Sequence, residues 1–411
     1  MGRLTRRAFT LAAFSVVAGT TATASAAERK AAESKASPYG AAGVREMRGV
    51  WLATVANRDF PSRAGLTAKQ QRAELIGWLD LAARSRLNTV ILQVRPTADA
   101  LWPSPYEPWS AVLTGTQGKD PGWDPLGTAV REARARGLEL HAWFNPFRIA
   151  NHTDPKKLAE NHPARLHPDW VVTFGGRMYY NPGLPAVRTF VRTAILDAVR
   201  RYPLDAVHFD DYFYPYPVAG QTFDDDAAYV KYGAAFPDRA SWRRHNIDSF
   251  VHDMAVRIKK TRAATRFGVS PFGVWRNKST DPLGSDTRAA QSYDDNFADT
   301  RKWVREGWID YIVPQVYWNI GFPAADYAKL VPWWAAVAKG SRTQLCIGEA
   351  LYKAGDPAQS AAWQNAAELS RHLTLADRYP EVKGHVYFAA REVKGDPIGA
   401  FSKVVADHYK K

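Results

Sequence analysis

The sequence contains a single cysteine, which rules out a disulfide within one chain. Cys346 stands in an apolar, strand-like segment, so we expect it to fill the core. The N-terminal apolar run, residues 11–19, is too short to span ~30 Å of hydrocarbon at about 1.5 Å per residue. Stable membrane insertion is therefore not expected.

Long runs of basic residues are also missing, although the formal net charge is +14 at pH 7. No block of Lys and Arg exceeds a few residues, and no nucleic-acid-binding motif accompanies the charge. Nucleic acid is therefore not an expected partner. In an exported protein, a basic surface suits an anionic cell envelope, to which it is attracted over long range.

Residues 1–27 carry the signals of export by the twin-arginine route. TRRAF at residues 5–9 is a twin-arginine pattern, an apolar run follows it, and ASA at residues 24–26 offers a cleavage site. We therefore expect an extracellular or cell-envelope protein. Residues 28–45 lack apolar periodicity and are interpreted as a linker, residues 46–405 as one domain and residues 406–411 as a C-terminal tail.

Beyond the linker, β-branched or aromatic runs alternate with amphipathic segments, a pattern typical of βα units around a parallel sheet. Helices are predicted at residues 68–85, 126–136, 186–201 and 241–261. Strands are predicted at residues 49–55, 89–94, 138–144, 206–210, 267–271, 311–316, 344–348 and 385–389. Eight strands with intervening helices predict an α/β fold, a (β/α)8 TIM barrel with enlarged βα loops.

A doubly wound sheet is the alternative architecture. It would normally carry a Gly-rich phosphate-binding turn after its first strand, and residues 55–58 contain no glycine. Two predicted connections, residues 146–185 and 212–241, exceed ordinary βα loops and are expected to wall a cleft. Gly175 and Gly176, within the first of them, act either as a hinge or as a turn.

Nearly every predicted strand end places an aromatic residue beside a polar or charged one. In a TIM barrel these ends form the active-site face. Sugars offer apolar CH faces that stack on aromatic rings, and hydroxyls that need polar partners. Whereas Trp78, Trp170 and Trp334 are expected to fill the core, the predicted substrate-binding residues are Trp51, Arg95, Trp102, Trp143, Asn145, Arg148, Tyr212, Tyr214, Trp275, Arg276, Gln315, Tyr317, Trp318, Tyr352 and Arg391.

Three carboxylates are candidates for catalysis: Asp210, Asp211 and Glu349. An ionised Asp inside a barrel strand costs several kcal/mol unless it is paired or solvated, so the adjacent aspartates should lie at the mouth. Only a turn at Asp210 would let both face one substrate. Glu349, at the end of the seventh predicted strand, is the expected partner across the mouth, with a buried ion pair to Arg95 or Arg391 as the alternative.

The chain resembles glycoside-hydrolase-like family ten, a group of exported bacterial barrels, over residues 45–401. The resemblance rests on RGVWL at 48–52, QVRP at 93–96, AWFNP at 142–146, YNPG at 180–183, HFDDYFYP at 208–215 and PQVYW at 314–318. It implies a (β/α)8 barrel that acts on glycan strands. The implied substrate class is peptidoglycan that lacks stem peptides.

A more distant similarity is to chitinase-type barrels of family eighteen, whose fourth strand carries aspartates and then a glutamate acid. In one alignment Asp205 and Asp210 match aspartates and Tyr212 falls at the glutamate; in the other Asp211 matches an aspartate and Phe213 falls there. Neither alignment supplies the acid. The resemblance implies that Asp211 or Glu349 would donate the proton, and that Tyr317 would contact an N-acetyl group.

The leading hypothesis is an exported, monomeric glycoside hydrolase without cofactor or metal, whose partner is a cell-wall polysaccharide. A non-catalytic glycan-binding barrel would keep the aromatic residues without the chemistry. A metal-dependent hydrolase would use His141, His208 and His385, but neither an H-x-H nor an H-E-x-x-H pattern occurs. Lone strand histidines are more often satisfied core residues.

Overall fold

The computed structural model describes residues 45–409. The predictions of a signal peptide at 1–27 and of a linker up to residue 44 lie outside the described residues, as do the last two residues of the tail. No helix among the described residues is long and apolar enough to cross a membrane.

Eleven strands form within the described part of the chain, and eight of them close a parallel barrel. The strands are β1 (Met47–Leu52), β2 (Thr89–Arg95), β3 (Glu139–Phe144), β4 (Arg148–Ala150), β5 (Val171–Phe174), β6 (Arg177–Tyr180), β7 (Ala206–Phe209), β8 (Arg266–Val269), β9 (Tyr311–Ile312), β10 (Gln344–Glu349) and β11 (Val382–Tyr387). Around the ring the order is β1-β11-β10-β9-β8-β7-β3-β2. Each predicted strand is found, and the (β/α)8 barrel is confirmed.

Helices occupy the connections between the barrel strands. They are α1 (Ala68–Arg84), α2 (Ala111–Thr114), α3 (Pro125–Ala135), α4 (Pro163–Leu166), α5 (Pro185–Arg201), α6 (Asp226–Tyr232), α7 (Arg239–Thr261), α8 (Ser292–Asp295), α9 (Thr300–Arg305), α10 (Tyr327–Ala338), α11 (Glu368–Ala376), α12 (Ala390–Gly395) and α13 (Ala400–His408). Local signals set their starts: Thr67 forms a capping box with Gln70 before α1, and Asp124 caps α3 ahead of Pro125.

The three short strands build a small antiparallel sheet of order β4-β6-β5 inside the long connection after β3. Gly175 and Gly176 join β5 to β6 with φ of 55° and 71°, so they form the tight hairpin turn that two left-handed residues allow. Of the two interpretations of these glycines, a hinge or a turn, the turn is therefore confirmed. This sheet places Arg148, on β4, at the rim of the barrel.

Alternation along the strands divides the core into two layers. Trp51, Ile91, Tyr311, Cys346 and Val386 pack together inside the barrel, and Cys346 is fully buried, as a core residue. The other faces of the strands pack against the helices. Gly268 makes room for the Tyr311 ring, because a Cβ at that position would lie 2.0 Å from it. Inward-facing side chains at the carboxyl ends of the strands therefore face the barrel mouth.

Candidate active site

A cavity of roughly 430 Å3 opens at the carboxyl ends of the barrel strands. Its position is the one that TIM-barrel enzymes use for catalysis. Aromatic rings make up much of its wall, and the charged groups are two aspartates and two basic residues. It is lined by Trp51, Ala53, Val55, Gln93, Trp143, Arg148, Asp210, Asp211, Tyr212, Tyr216, Ser270, Phe272, Gln315, Tyr317, Trp318, Tyr352, Lys353 and Phe388.

Asp210 and Asp211 both line the cavity because β7 ends at Phe209 and the chain turns directly after it. The turn at Asp210, which both aspartates need in order to face one substrate, is thus present. Asp210, 4% exposed, accepts hydrogen bonds from Trp143 Nε1 at 3.0 Å, from Asn145 Nδ2 and from the Tyr212 backbone N–H at 3.2 Å. Asp211, 9% exposed, accepts one from the Tyr216 hydroxyl.

Burial and mutual repulsion govern the protonation of this pair. Burial, followed by the neighbouring Asp211 carboxylate, raises the pKa of Asp210 to about 7. Burial also raises the pKa of Asp211, against the lowering effect of the Tyr216 hydroxyl. Two like charges this close cannot both ionise easily, so one proton stays on the pair up to about pH 7. The site therefore holds a carboxylic acid and a carboxylate side by side.

A chain of side-chain amides fixes the donor that faces Asp210. Gln93 accepts from the backbone N–H groups of Thr54 and Val55, at 2.9 Å each, and its own amide donates to Asn145 Oδ1 at 2.6 Å. Because the Asn145 oxygen is occupied, its NH2 group points at Asp210. Asn145 lies behind the aspartate and outside the cavity wall, so it positions Asp210 in place of the predicted contact with substrate.

Two of the predicted metal-binding histidines lie below the cavity floor, in the barrel interior. His208 bonds to Tyr311 at 2.9 Å and Ser270 at 2.8 Å, and His141 bonds to the same Tyr311 hydroxyl at 2.9 Å. Burial holds the pKa of His208 well below its usual value. His385 lies on the other side of the strand wall, bonded to Glu349. The three histidines do not converge, and the described residues contain no group of three or more potential ligands for a metal ion.

Comparison with known families decides what this site belongs to. The family model described as Glycosyl hydrolase-like 10 matches residues 46–365. The chain belongs to this family. It is similar to the glycosyl hydrolase YngK of Bacillus subtilis, with 48% identity over 373 residues, which cover 89% of this chain and 72% of YngK. It is also similar to the glycosyl hydrolase DigH of Escherichia coli K12, with 43% identity over 362 residues, 83% of this chain and 82% of DigH.

Solved structures agree on the fold. The glycoside hydrolase domain of PgaB (BpsB) from Bordetella bronchiseptica superposes with a TM-score of 0.59 at 13% identity, covering 90% of this chain and all of that domain. The catalytic domain of a β-amylase from Paenibacillus polymyxa gives 0.54 at 10% identity, with 90% and 100% coverage. The family and its curated relatives make the protein a glycoside hydrolase.

Several predicted residues of this glycosyl hydrolase-like 10 protein do meet at the cavity. Arg148 stacks on Tyr212, with its guanidinium carbon 3.9 Å from the ring centroid. Tyr317 and Tyr352 meet edge to face, 5.9 Å between centroids. The predicted residues on the cavity wall are Trp51, Trp143, Arg148, Asp210, Asp211, Tyr212, Gln315, Tyr317, Trp318 and Tyr352.

The prediction that Glu349 shares the site with the two aspartates is wrong, because the structure does not bring it to them. It is fully buried and follows the outward-facing Leu345 and Ile347, so its side chain points into the helical layer. There it accepts hydrogen bonds from Tyr327 at 2.8 Å and pairs with His372 at 2.8 Å and His385 at 2.9 Å. Glu349 is therefore a buried network residue, although its partners are histidines and not the arginines proposed as the alternative.

The electrostatics of Glu349 fit that structural role. Burial alone would raise the pKa of Glu349, but the nearby His372 and His385 bring it below its usual value. Its carboxylate in turn raises the pKa of His372, against the opposing effect of burial. The ring order adds a second reason for the error, since the strand opposite β7 is β11 and not β10.

Arg95, Trp102 and Tyr214 were expected at the cavity and are buried elsewhere. Arg95 is fully buried and forms a fork with Glu107, with Nε 2.7 Å from Oε2. Trp102 is fully buried and donates to Asp197 at 3.0 Å. Tyr214 packs edge to face on two phenylalanine rings. In each case the side chain points back into the packing between loops and helices.

Trp275, Arg276 and Arg391 also lie away from the cavity wall. The Trp275 indole donates to Asp299 at 2.9 Å, and Arg276 pairs with Asp281 and Asp294 at 2.8 Å each. Arg391 pairs with Asp59 at 3.3 Å. Trp275 and Arg276 lie on the long connection after β8, which folds back on itself, whereas Arg391 lies in α12 and pairs with the connection after β1.

Cavity residues that were not predicted fall into two groups. Ala53, Gln93, Ser270 and Phe388 each stand two positions after an inward-facing strand residue, so strict alternation would have found them. The others, at positions 55, 216, 272 and 353, lie on loops or short 3-10 turns, where no periodic signal exists.

Proposed function

We propose that this glycoside hydrolase is exported and cleaves peptidoglycan glycan strands from which the stem peptides have been removed. Membership of the glycosyl hydrolase-like 10 family supports glycan hydrolysis. The substrate class is the one that the resemblance to glycoside-hydrolase-like family ten implies, and the net charge of +14 suits an anionic cell wall.

The observation that carries the chemistry is the aspartate pair, which holds one proton in an aromatic cavity. Two-carboxylate glycosidases place their acid and their nucleophile or base on either side of the scissile bond. Here both carboxyls come from the end of β7, and the cavity wall within residues 45–409 offers no other carboxylate. A nucleophile from the substrate itself fits this arrangement, and the 2-acetamido group of cell-wall sugars can supply it.

In this mechanism Asp211 donates its proton to the leaving glycosidic oxygen while the acetamido oxygen attacks C1. Three N–H donors favour the ionised form of Asp210, so the proton is assigned to Asp211 and the Asp210 carboxylate stabilises the positive acetamido group. Ionised Asp211 then takes a proton from water as the water attacks C1. The first step frees the leaving sugar with its hydroxyl, and the second breaks the bond between C1 and the acetamido oxygen, so the acetamido group is restored and the anomeric configuration is retained.

Two substrates and two variants test the proposal. Wild-type protein should release reducing ends from peptide-free strands at least tenfold faster than from peptide-bearing strands. Asp210→Asn and Asp211→Asn should both lose this activity. On an aryl glycoside whose leaving group needs no proton, Asp211→Asn should release the aryl group in its first turnover at close to the wild-type rate, because that step does not require the missing acid. Later turnovers should be slow, because the attacking water has lost its base. Asp210→Asn should stay inactive on both.

Asp224→Asn provides the matched control, since Asp224 is exposed on a loop away from the cavity wall. Its activity should equal that of the wild type. Equal cleavage of peptide-free and peptide-bearing strands would overturn the proposed substrate. An inverted product, detected by NMR early in the reaction, would overturn the acetamido mechanism.

The export proposal rests on the TRRAF pattern at residues 5–9 and has its own test. Replacement of Arg6 and Arg7 by lysine should leave the precursor in the cytoplasm, whereas the wild type should reach the medium or the cell envelope in a host with a twin-arginine translocase. Export of the double variant at the wild-type level would contradict this route.

A further inference from the structure

The cavity contains a lysine for which the proposed mechanism has no use. Lys353 follows β10 in a short 3-10 turn, Leu351–Lys353, and lines the cavity wall. Its ammonium donates to the backbone oxygen of Tyr317 at 2.8 Å and lies 5.9 Å from the centroids of both the Tyr352 and Trp363 rings. One of three N–H donors is thus used to hold the group in place, and two remain.

Most positive charges around the mouth already have partners. Arg58 pairs with Asp59 at 2.7 Å and with Glu392 at 3.0 Å, and Arg391 shares Asp59. Lys353 has no carboxylate within 4.0 Å among residues 45–409. It is partly buried, and burial lowers its pKa. A half-buried cation without a counter-ion is unfavourable unless a bound ligand supplies the negative charge.

Arg148 is the other cavity cation, and its charge acts on the aspartate pair. It faces the aspartate pair and lowers the pKa of both carboxyls, against the larger effect of burial. Lys353 stands on a different wall, because its strand β10 lies four places from β3, the strand that precedes Arg148, in the ring of eight. A sugar held over the aspartates therefore presents its far side to Lys353.

We propose that Lys353 binds a carboxylate on the glycan, namely the lactyl carboxylate of an N-acetylmuramic acid unit. This inference rests on the proposed function and explains its substrate preference. When a stem peptide is attached, the lactyl carboxyl is an amide, which carries no charge and cannot pair with an ammonium. Removal of the peptide exposes the anion that the cavity lacks.

The test compares two forms of one glycan. Peptide-free strands are used as such or after conversion of their carboxyls to methylamides, which keeps the size and removes the charge. For the wild type, KM should be about 10- to 100-fold higher on the methylamide strands, the range expected for a hydrogen bond to a charged group. Lys353→Met should raise KM on the carboxylate strands by the same factor and leave KM on the methylamide strands unchanged. Lys353→Arg should restore most of the discrimination.

The control variant is Lys329→Met, which removes the same charge from an exposed lysine paired with Asp286. It should behave as the wild type on both strands. If Lys353→Met raises KM equally on both strands, the lysine only supports Tyr317 and the inference is overturned. If the wild type cleaves both strands with equal KM, the inference fails while the proposed function stands. If the wild type cleaves neither, the proposed function fails and the inference fails with it.

Discussion

Replacing Trp143 with phenylalanine tests the protonation of the aspartate pair directly. The change keeps an aromatic ring at the cavity wall and removes the indole N–H, which lies 3.0 Å from Asp210 Oδ2. That hydrogen bond stabilises the ionised carboxylate and so lowers its pKa. Its loss must therefore raise the pKa at which the pair gives up its last proton.

The size of the shift follows from the hydrogen bond that is lost. A hydrogen bond to a charged group contributes about 1.5–3 kcal/mol, and about 1.4 kcal/mol corresponds to one pKa unit. Asp210 keeps its bonds from Asn145 and Tyr212, so the lower end of this range applies. The pKa should move from about 7 to about 8, since the wild-type value is about 7.

The assay is the pH dependence of kcat/KM, whose alkaline limb reports loss of the proton from the free enzyme. For Trp143→Phe this limb should move up by about one pH unit, whatever the change in absolute rate. Trp51→Phe is the matched control, because its indole also lines the cavity but donates to His208 at 3.2 Å. Its alkaline limb should stay in place. An unmoved or lowered limb in Trp143→Phe would refute the assignment of the shared proton.

Three further predictions concern stability and binding. Asp210→Asn should raise the free energy of unfolding at pH 8 by about 1–3 kcal/mol, because the folded state no longer holds a carboxyl whose pKa is raised, and the gain should vanish below about pH 4. Glu349→Gln should lower the free energy of unfolding by about 3 kcal/mol, since His372 loses its buried partner, with kcat within tenfold of the wild type. Trp318→Ala should raise KM about tenfold with a smaller loss of stability than Trp102→Ala, which should cost about 3–5 kcal/mol, because Trp318 is only partly buried and Trp102 fully.

Urea unfolding at several pH values and steady-state kinetics check these three predictions. The sign of the first follows from proton binding. Between the ordinary pKa of 3.8 and about 7, the folded aspartate pair binds a proton that the same two side chains have lost in the unfolded chain, so wild-type stability falls as pH rises. A pH-independent gain for Asp210→Asn would contradict this origin. Loss of kcat without loss of stability in Glu349→Gln would return Glu349 to a catalytic role.

The barrel could be predicted because its physical causes are local. Parallel barrel strands are buried on both faces, so they occur as short apolar runs such as TVILQV at residues 89–94. Asp124 and Pro125 mark a helix start by capping and by a fixed φ. The small sheet β4-β6-β5 was missed because its three strands lie within one long connection, outside the alternation of strands and helices by which the barrel strands were recognised.

Site residues were predicted best where both the end of a strand and the direction of its side chains could be inferred from the pattern. Trp51 and Trp143 are inward residues at the ends of β1 and β3, and both reach the cavity. Arg95 and Glu349 also stand at strand ends, but they face outward, where Glu107 and two histidines neutralise them. A strand end alone is therefore a weak criterion. For Glu349 the neighbours two positions away give the face, but Arg95 follows a register shift after the inward-facing Gln93, where alternation fails. The position of a residue outside the strands, such as Lys353, depends on distant contacts and could not be predicted from local pattern.

The charges of the cavity connect the chemistry of the pair with the proposed preference for an anionic glycan. The only charged side chains on the described cavity wall are the two aspartates, Arg148 and Lys353. With one proton on the pair, one negative charge stands against two positive charges, and the cavity is positive. When that proton is lost above about pH 7, the charges balance and the attraction for a carboxylate weakens. The protonation state that can donate a proton to the leaving oxygen is therefore also the state that best attracts the substrate.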